Sequence, residues 1–320
     1  MQPFKVITFL LIFLLSACSD PVAEQIEIQL PVTEQRVASL GQSLTSGQVT
    51  NAALIKQYAQ KVKAAKPDLT PIVDVIARDA TEQGPLFNAL QDRVNQVKNM
   101  PQLFASNEER YQELLNIFEA ADPILFSDAL SDPLNVLADM SDGLLPRVNS
   151  LSKAQSMQAN NAQDFGVGEQ LIGNPSYGQW SQGSNGLSFW EWYGMYALMD
   201  NIFGSRRTYY RDWGRSRNYS YYNDFGRTRY SSPSTLRKQV NLDNRTRKSF
   251  ESKGQKYTSA YAKNRTGASS ISSKSKAAQS SASRFQKTTA NKSSYASKSK
   301  KNASFRNSRT NTSRSTRRGK

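Results

Sequence analysis

The 320-residue chain has no histidine and one cysteine, Cys18. Without histidine it lacks the commonest general base and the commonest side-chain metal ligand, and hydrolytic triads built on an imidazole are excluded. A single cysteine excludes an intramolecular disulfide and any metal site built from several thiolates. Phosphate-cradling loops of the GxxxxGK[ST] and GxGxxG types are also missing. No catalytic residue, metal ligand or cofactor is therefore expected. Carboxylate pairs such as Asp74 with Asp79, or Glu108 with Glu109, could in principle serve glycoside hydrolysis. Their positions point instead to solvated helical faces and caps.

Long apolar runs are scarce. One stands at the N-terminus, MQPFKVITFLLIFLLSACSD. Lys5 forms a short basic region, Val6 to Leu14 is apolar except for Thr8, and small residues precede Cys18. The run is too short for a stable membrane span and has the layout of a secretory signal. Leu15-Ser16-Ala17-Cys18 resembles the lipobox of bacterial lipoproteins. That resemblance implies removal of residues 1–17, acylation of Cys18 and membrane anchoring through several acyl chains. Ser19, where an Asp would signal inner-membrane retention in Gram-negative lipoproteins, implies the outer membrane, facing the periplasm.

Acidic residues are nearly absent from the second half. Ser19 to Asp200 carries 22 acids against 11 Lys and Arg, whereas Asn201 to Lys320 carries 4 acids against 30. This asymmetry predicts a folded acidic part and a basic interaction tail, which could also fold back on the acidic part. Residues 18–31 form the expected lipidated cysteine and tether. Residues 32–151 show helical spacing: Leu54, Ile55, Tyr58 and Val62; Leu86, Leu90, Val94 and Val97; Tyr111, Leu114, Leu115 and Phe118. Ser106-Asn107-Glu108-Glu109 has the pattern of a capped helix start. The expected fold is all-α, a small bundle of about five or six helices followed by a long disordered basic tail.

Residues 152–188, rich in Gln, Asn, Ser and Gly, are expected to be a flexible linker. The aromatic segment 189–204 has two readings, a short helix docked on the bundle or a membrane-interface anchor. Residues 205–235 contain a near-repeat, YYRDWGRSR from Tyr209 and YYNDFGRTR from Tyr221, read as two turns, a small hairpin or a loop. Its Asp224-Phe225-Gly226 spells a kinase-like triplet, but the accompanying HRD loop cannot be written without histidine. Residues 236–320 are dominated by Ser, Lys, Arg and Asn and are expected to be disordered, because little apolar surface is available to offset ordering entropy.

The basic half points to binding. Arg206, Arg207, Arg211, Arg215, Arg217, Arg227 and Arg229 are the candidate anion-binding residues. Tyr209, Tyr210, Trp213, Tyr221, Tyr222 and Phe225 are candidate aromatic contacts. Behind a lipobox the accessible anions are lipopolysaccharide, phospholipid headgroups, peptidoglycan and extracellular DNA. The expected function is a non-enzymatic, membrane-anchored envelope lipoprotein whose tail binds such polymers. The alternative is an assembly protein whose helical domain and aromatic segment contact a protein partner.

Overall fold

The computed structural model describes residues 20–204, 207–262 and 264–279; Cys18, Arg206 and residues 280–320 lie outside it. Seven helices build the N-terminal part: α1 (Pro21–Thr45), α2 (Thr50–Ala65), α3 (Thr70–Ala77), α4 (Pro85–Asn99), α5 (Asn107–Ala120), α6 (Pro123–Ala129) and α7 (Ser131–Met140). Their starts follow local chemistry. Asp20 caps α1 through Val22 N, Asp122 caps α6 through Ile124 N and Leu125 N, and prolines open α1, α4 and α6. Ser106 accepts from Glu109 N, while Glu109 accepts from Ala105 N, closing the start of α5. α1 lies along α5 and α4, and α2 packs on α3 and α7. The first two predicted stripes supply the core, with Ile55, Val62, Leu86, Leu90 and Val97 each at most 2 % exposed; on α5 only Leu114 of the expected stripe is buried, beside Ile117 and Ala120, while Tyr111, Leu115 and Phe118 are half-buried.

The bundle begins earlier than the sequence suggests. Residues 21–31 are not a tether but the first turns of α1, which runs through Pro31. One backbone hydrogen bond is forfeited at that proline, yet Ile26, Val37, Leu40 and Leu44 are buried along the same helix and hold it in place.

The expected linker is also structured. It contains α8 (Lys153–Asn160) and β1 (Gly178–Gln182), and Tyr177 is fully buried. β1 pairs antiparallel with β2 (Ser188–Trp192), with Gly178 opposite Trp192 and Trp180 opposite Trp190. The first part of the aromatic segment is thus a strand. A 3-10 turn, Gly194–Ala197, and the short helix α9 (Leu198–Phe203) follow. Trp190 and Tyr196 are buried within the protein. Among the described residues no helix is long and apolar enough to cross a membrane.

Disorder from residue 236 does not hold for the described part of the tail. Helix α11 (Pro233–Glu251) is capped by Ser232, and Leu242, Ala260 and Ile271 are buried. The apolar surface is small, as the composition indicates. Polar partners on the acidic bundle compensate. Asp128 accepts hydrogen bonds from Ser272 N, Ser272 Oγ and Ser275 Oγ, and Lys274 pairs with Asp122. Arg237 of α11 pairs with Glu109. The basic half folds back on the acidic half at least as far as residue 279.

Candidate functional site

The two repeat copies are structural centres. The first forms α10 (Tyr210–Ser216), and the second forms a π-helical turn, Tyr222–Gly226. Each copy ends in a buried arginine that meets a carboxylate. Arg217 makes a fork to Asp224, with Nη1–Oδ2 at 3.0 Å and Nη2–Oδ1 at 2.7 Å. Arg229 pairs with Glu119 and donates to Asn116 Oδ1. The glycines are required by close packing. A Cβ on Gly226 would lie 2.9 Å from the Tyr221 ring, and one on Gly214 would press on Ala260 at 3.3 Å.

This placement revises the expected contacts. Arg217 and Arg229 serve the interior and are not open to a polymer. Arg227 is half-buried, stacked 3.8 Å from the Tyr261 ring centroid, with Nε bonded to Gln239. Tyr210, Trp213, Tyr221 and Tyr222 are buried, and Tyr209 and Phe225 are half-buried. Tyr210 and Trp213 pack on one another and on Trp180, Tyr221 stacks on Phe225, and the Tyr222 hydroxyl bonds Ser231 and Gln239. The physical reason is mutual: ring faces cover the arginine stems, and carboxylates from the bundle and the second repeat compensate the charge. Arg207, Arg211 and Arg215 remain exposed.

Of these, Arg211 faces the cations of α11. Tyr210 of the first repeat and Tyr257 both donate to Asp243 Oδ1, at 2.9 and 2.6 Å, which fixes the helix against the repeat. Between α11 and the hairpin turn runs a groove of about 130 Å³ lined by Arg211, Arg245 and Lys253, with no carboxylate in its wall. Arg245 also borders a shallow hollow with Lys238 and Lys248, again without a carboxylate. Lys238, Arg245 and Lys248 are seven and three residues apart, a single helical face. The α11 cations were not singled out from sequence. The Ser232-Pro233 cap and this spacing were legible, but the surrounding composition masked them.

A second hollow of about 750 Å³ lies beside β2 and α9, lined by aromatic rings together with Asp164, Glu191, Asp200 and Arg207. Burial raises the Asp200 carboxyl, against the lowering effect of the Trp192 indole N–H. Burial also works to raise Asp164. The bonds from Lys153 and Gly166 N outweigh it and hold that carboxyl below the ordinary range.

Other acids are buried in the interior. Asp79, expected on a solvated face, is 1 % exposed. Tyr177 and Tyr196 donate to its two oxygens at 2.9 and 2.7 Å. Burial pushes its pKa up to about 7 despite these bonds. Asp132 accepts from Tyr221 N and Tyr222 N and is likewise pushed by burial to about 7. Glu169 is raised by burial as well. Each acid joins the bundle or the 3-10 turn at Glu169–Leu171 to the aromatic and repeat regions, a structural use of a buried carboxylate. Among the described residues no group of three His, Cys, Asp or Glu side chains could hold a metal ion. Compared with known proteins, the chain matches no family model, no curated protein and no solved structure at a significant level.

Proposed function

We propose that this chain is a non-enzymatic envelope lipoprotein, anchored through acylated Cys18 in the outer membrane, that binds anionic envelope polymers. The observation that carries the reading is the set of cations Lys238, Arg245, Lys248, Lys253 and Arg211 lining two hollows that share Arg245, with no carboxylate among the described residues of their walls; Arg211 also pairs with its neighbour Asp212. Arginine forks and lysine ammonium groups so placed suit phosphate or carboxylate polymers, with affinity dominated by counterion release. The highly basic segment 280–320, outside the described residues, extends the same charge.

The test uses the full mature chain with Cys18→Ser and measures binding to lipopolysaccharide, peptidoglycan and duplex DNA across a salt series. The triple variant R211A/R245A/K253A should lower the log–log salt slope on DNA by roughly 3, at about 0.9 per lost phosphate contact. Absence of binding at low salt, or an unchanged slope in the variant, refutes the reading. A protein partner of the helical domain and the aromatic segment is the second reading, favoured by Tyr193 and Met195 of that segment, exposed at 43 % and 50 %.

A further inference from the structure

We infer that the hollow beside β2 and α9 is a saccharide-binding site, separate from the cationic hollows at α11. Its volume of about 750 Å³ lies within the range of roughly 300–1,000 Å³ common for small-ligand sites. Phe165, Trp190, Trp192 and Phe203 furnish apolar ring surface in its wall. The polar groups are of both kinds. Asp200 binds the Trp192 indole through Oδ1, and its Oδ2 makes no hydrogen bond among the described residues. Arg207 lies over Phe189, 4.8 Å from the ring centroid, and forms no ion pair among the described residues. Trp190 is only 6 % exposed and its Nε1 is buried, so its N–H is not offered to the hollow. Gly178 allows the indole this position, since a Cβ there would lie 2.7 Å from Trp190 Cζ2.

These groups discriminate between ligand classes. An organic cation would suit the rings and carboxylates, but it would meet Arg207 with like charge, and of the three acids in the wall Asp164 is already paired with Lys153 and Glu191 is bonded to Ser181 and Gln179. An anion would satisfy Arg207 but would face Asp164, Glu191 and Asp200. A sugar ring has hydroxyls that both donate and accept, and apolar C–H faces to lie against aromatic rings. It is the class that can accept from Arg207 and donate to Asp200 at once, and a polar group left unpaired on binding is costly.

The experiment follows tryptophan fluorescence and heat on titrating the full mature chain, carrying Cys18→Ser, with glucose, N-acetylglucosamine and N,N′-diacetylchitobiose. Tetramethylammonium and inorganic phosphate are the controls. A saturable response to at least one sugar, insensitive to salt, is expected. Phe165→Ala and Asp200→Asn should each weaken it by about tenfold or more, a loss of at least about 1.4 kcal/mol. Circular dichroism and thermal melts establish that both variants are folded. Competition by peptidoglycan or by lipopolysaccharide then tells which polymer carries the sugar. No saturable response to any of the three sugars overturns the inference. So does unchanged affinity in both variants, or saturation by tetramethylammonium or phosphate instead. The variant R211A/R245A/K253A should retain sugar binding, so failure of the cationic hollows and failure of this site are separately visible.

Discussion

Arg217→Met is the sharpest test of what the repeat does. In the folded chain Arg217 and Asp224 have side-chain exposures of 2 % and 0 %. Arg217 also donates through Nε to Ala260 O and through Nη1 to Asn218 O. Methionine keeps much of the stem volume but removes the fork, leaving the Asp224 carboxylate buried among Ser220 N and Arg265 N alone. Breaking a buried pair from one side costs about 3–5 kcal/mol because a charge is stranded. For a folded unit of this size that corresponds to a fall in melting temperature of roughly 10 °C. The assay is chemical and thermal denaturation of wild type, R217M and R217M/D224N. Asparagine removes the stranded charge and keeps an oxygen for one of the two backbone donors, which reach different oxygens of Asp224, so the double variant should be more stable than the single one. R217M should leave the salt slope of polymer binding unchanged, since Arg217 is not accessible. An R217M protein within about 1 kcal/mol of wild type, or a double variant less stable than R217M, refutes the structural account of the pair.

Two further outcomes follow from the interior. Asp79 is raised above its ordinary carboxylate value of 3.8 to about 7, so the folded state holds the proton more tightly than the unfolded state. Its contribution to stability is full below about pH 4 and is lost as pH rises through about 7. Asp132 has the same sign. Urea midpoints measured between pH 5 and 8 should fall more steeply for wild type than for Asp79→Asn, whose side chain does not titrate; parallel pH profiles would contradict this. Gly173 sits at φ +88°, and a Cβ there would lie 2.8 Å from the Trp213 ring. Gly173→Ala should therefore destabilise by about 1–3 kcal/mol through overpacking, with added backbone strain, as read from denaturation midpoints.

The helical stripes of residues 54–118 were legible because a 3.6-residue period in apolar side chains needs no knowledge of the partner helix. Leu86, Leu90 and Val97 were assigned from spacing and are buried. The caps at Ser106 and Asp122 are equally local, since each side chain bonds backbone two or three residues ahead. Charge asymmetry between the halves was plain in the composition. It also carried the correct suggestion that the basic part could turn back on the acidic part. The segments after residue 152 were harder. Their few apolar residues give no period, and their hydrogen-bond partners lie far along the chain: Asp128 with Ser272, Asp79 with Tyr196, Glu119 with Arg229.

Sequence alone therefore determined the helical character of the bundle, the location of its core stripes and the sign of the charge on each half, all properties of near neighbours or of composition. Only the tertiary structure decided which cations face solvent. Arg217 and Arg229 have the same local setting as their exposed neighbours, and they turn inward because Asp224 and Glu119 are brought to them through space. The same long-range contacts leave Arg245, Lys248 and Lys253 on the surface and gather Trp190, Trp192, Asp200 and Arg207 around one hollow. Burial and pairing depend on where distant parts of the chain meet, and no local pattern encodes that.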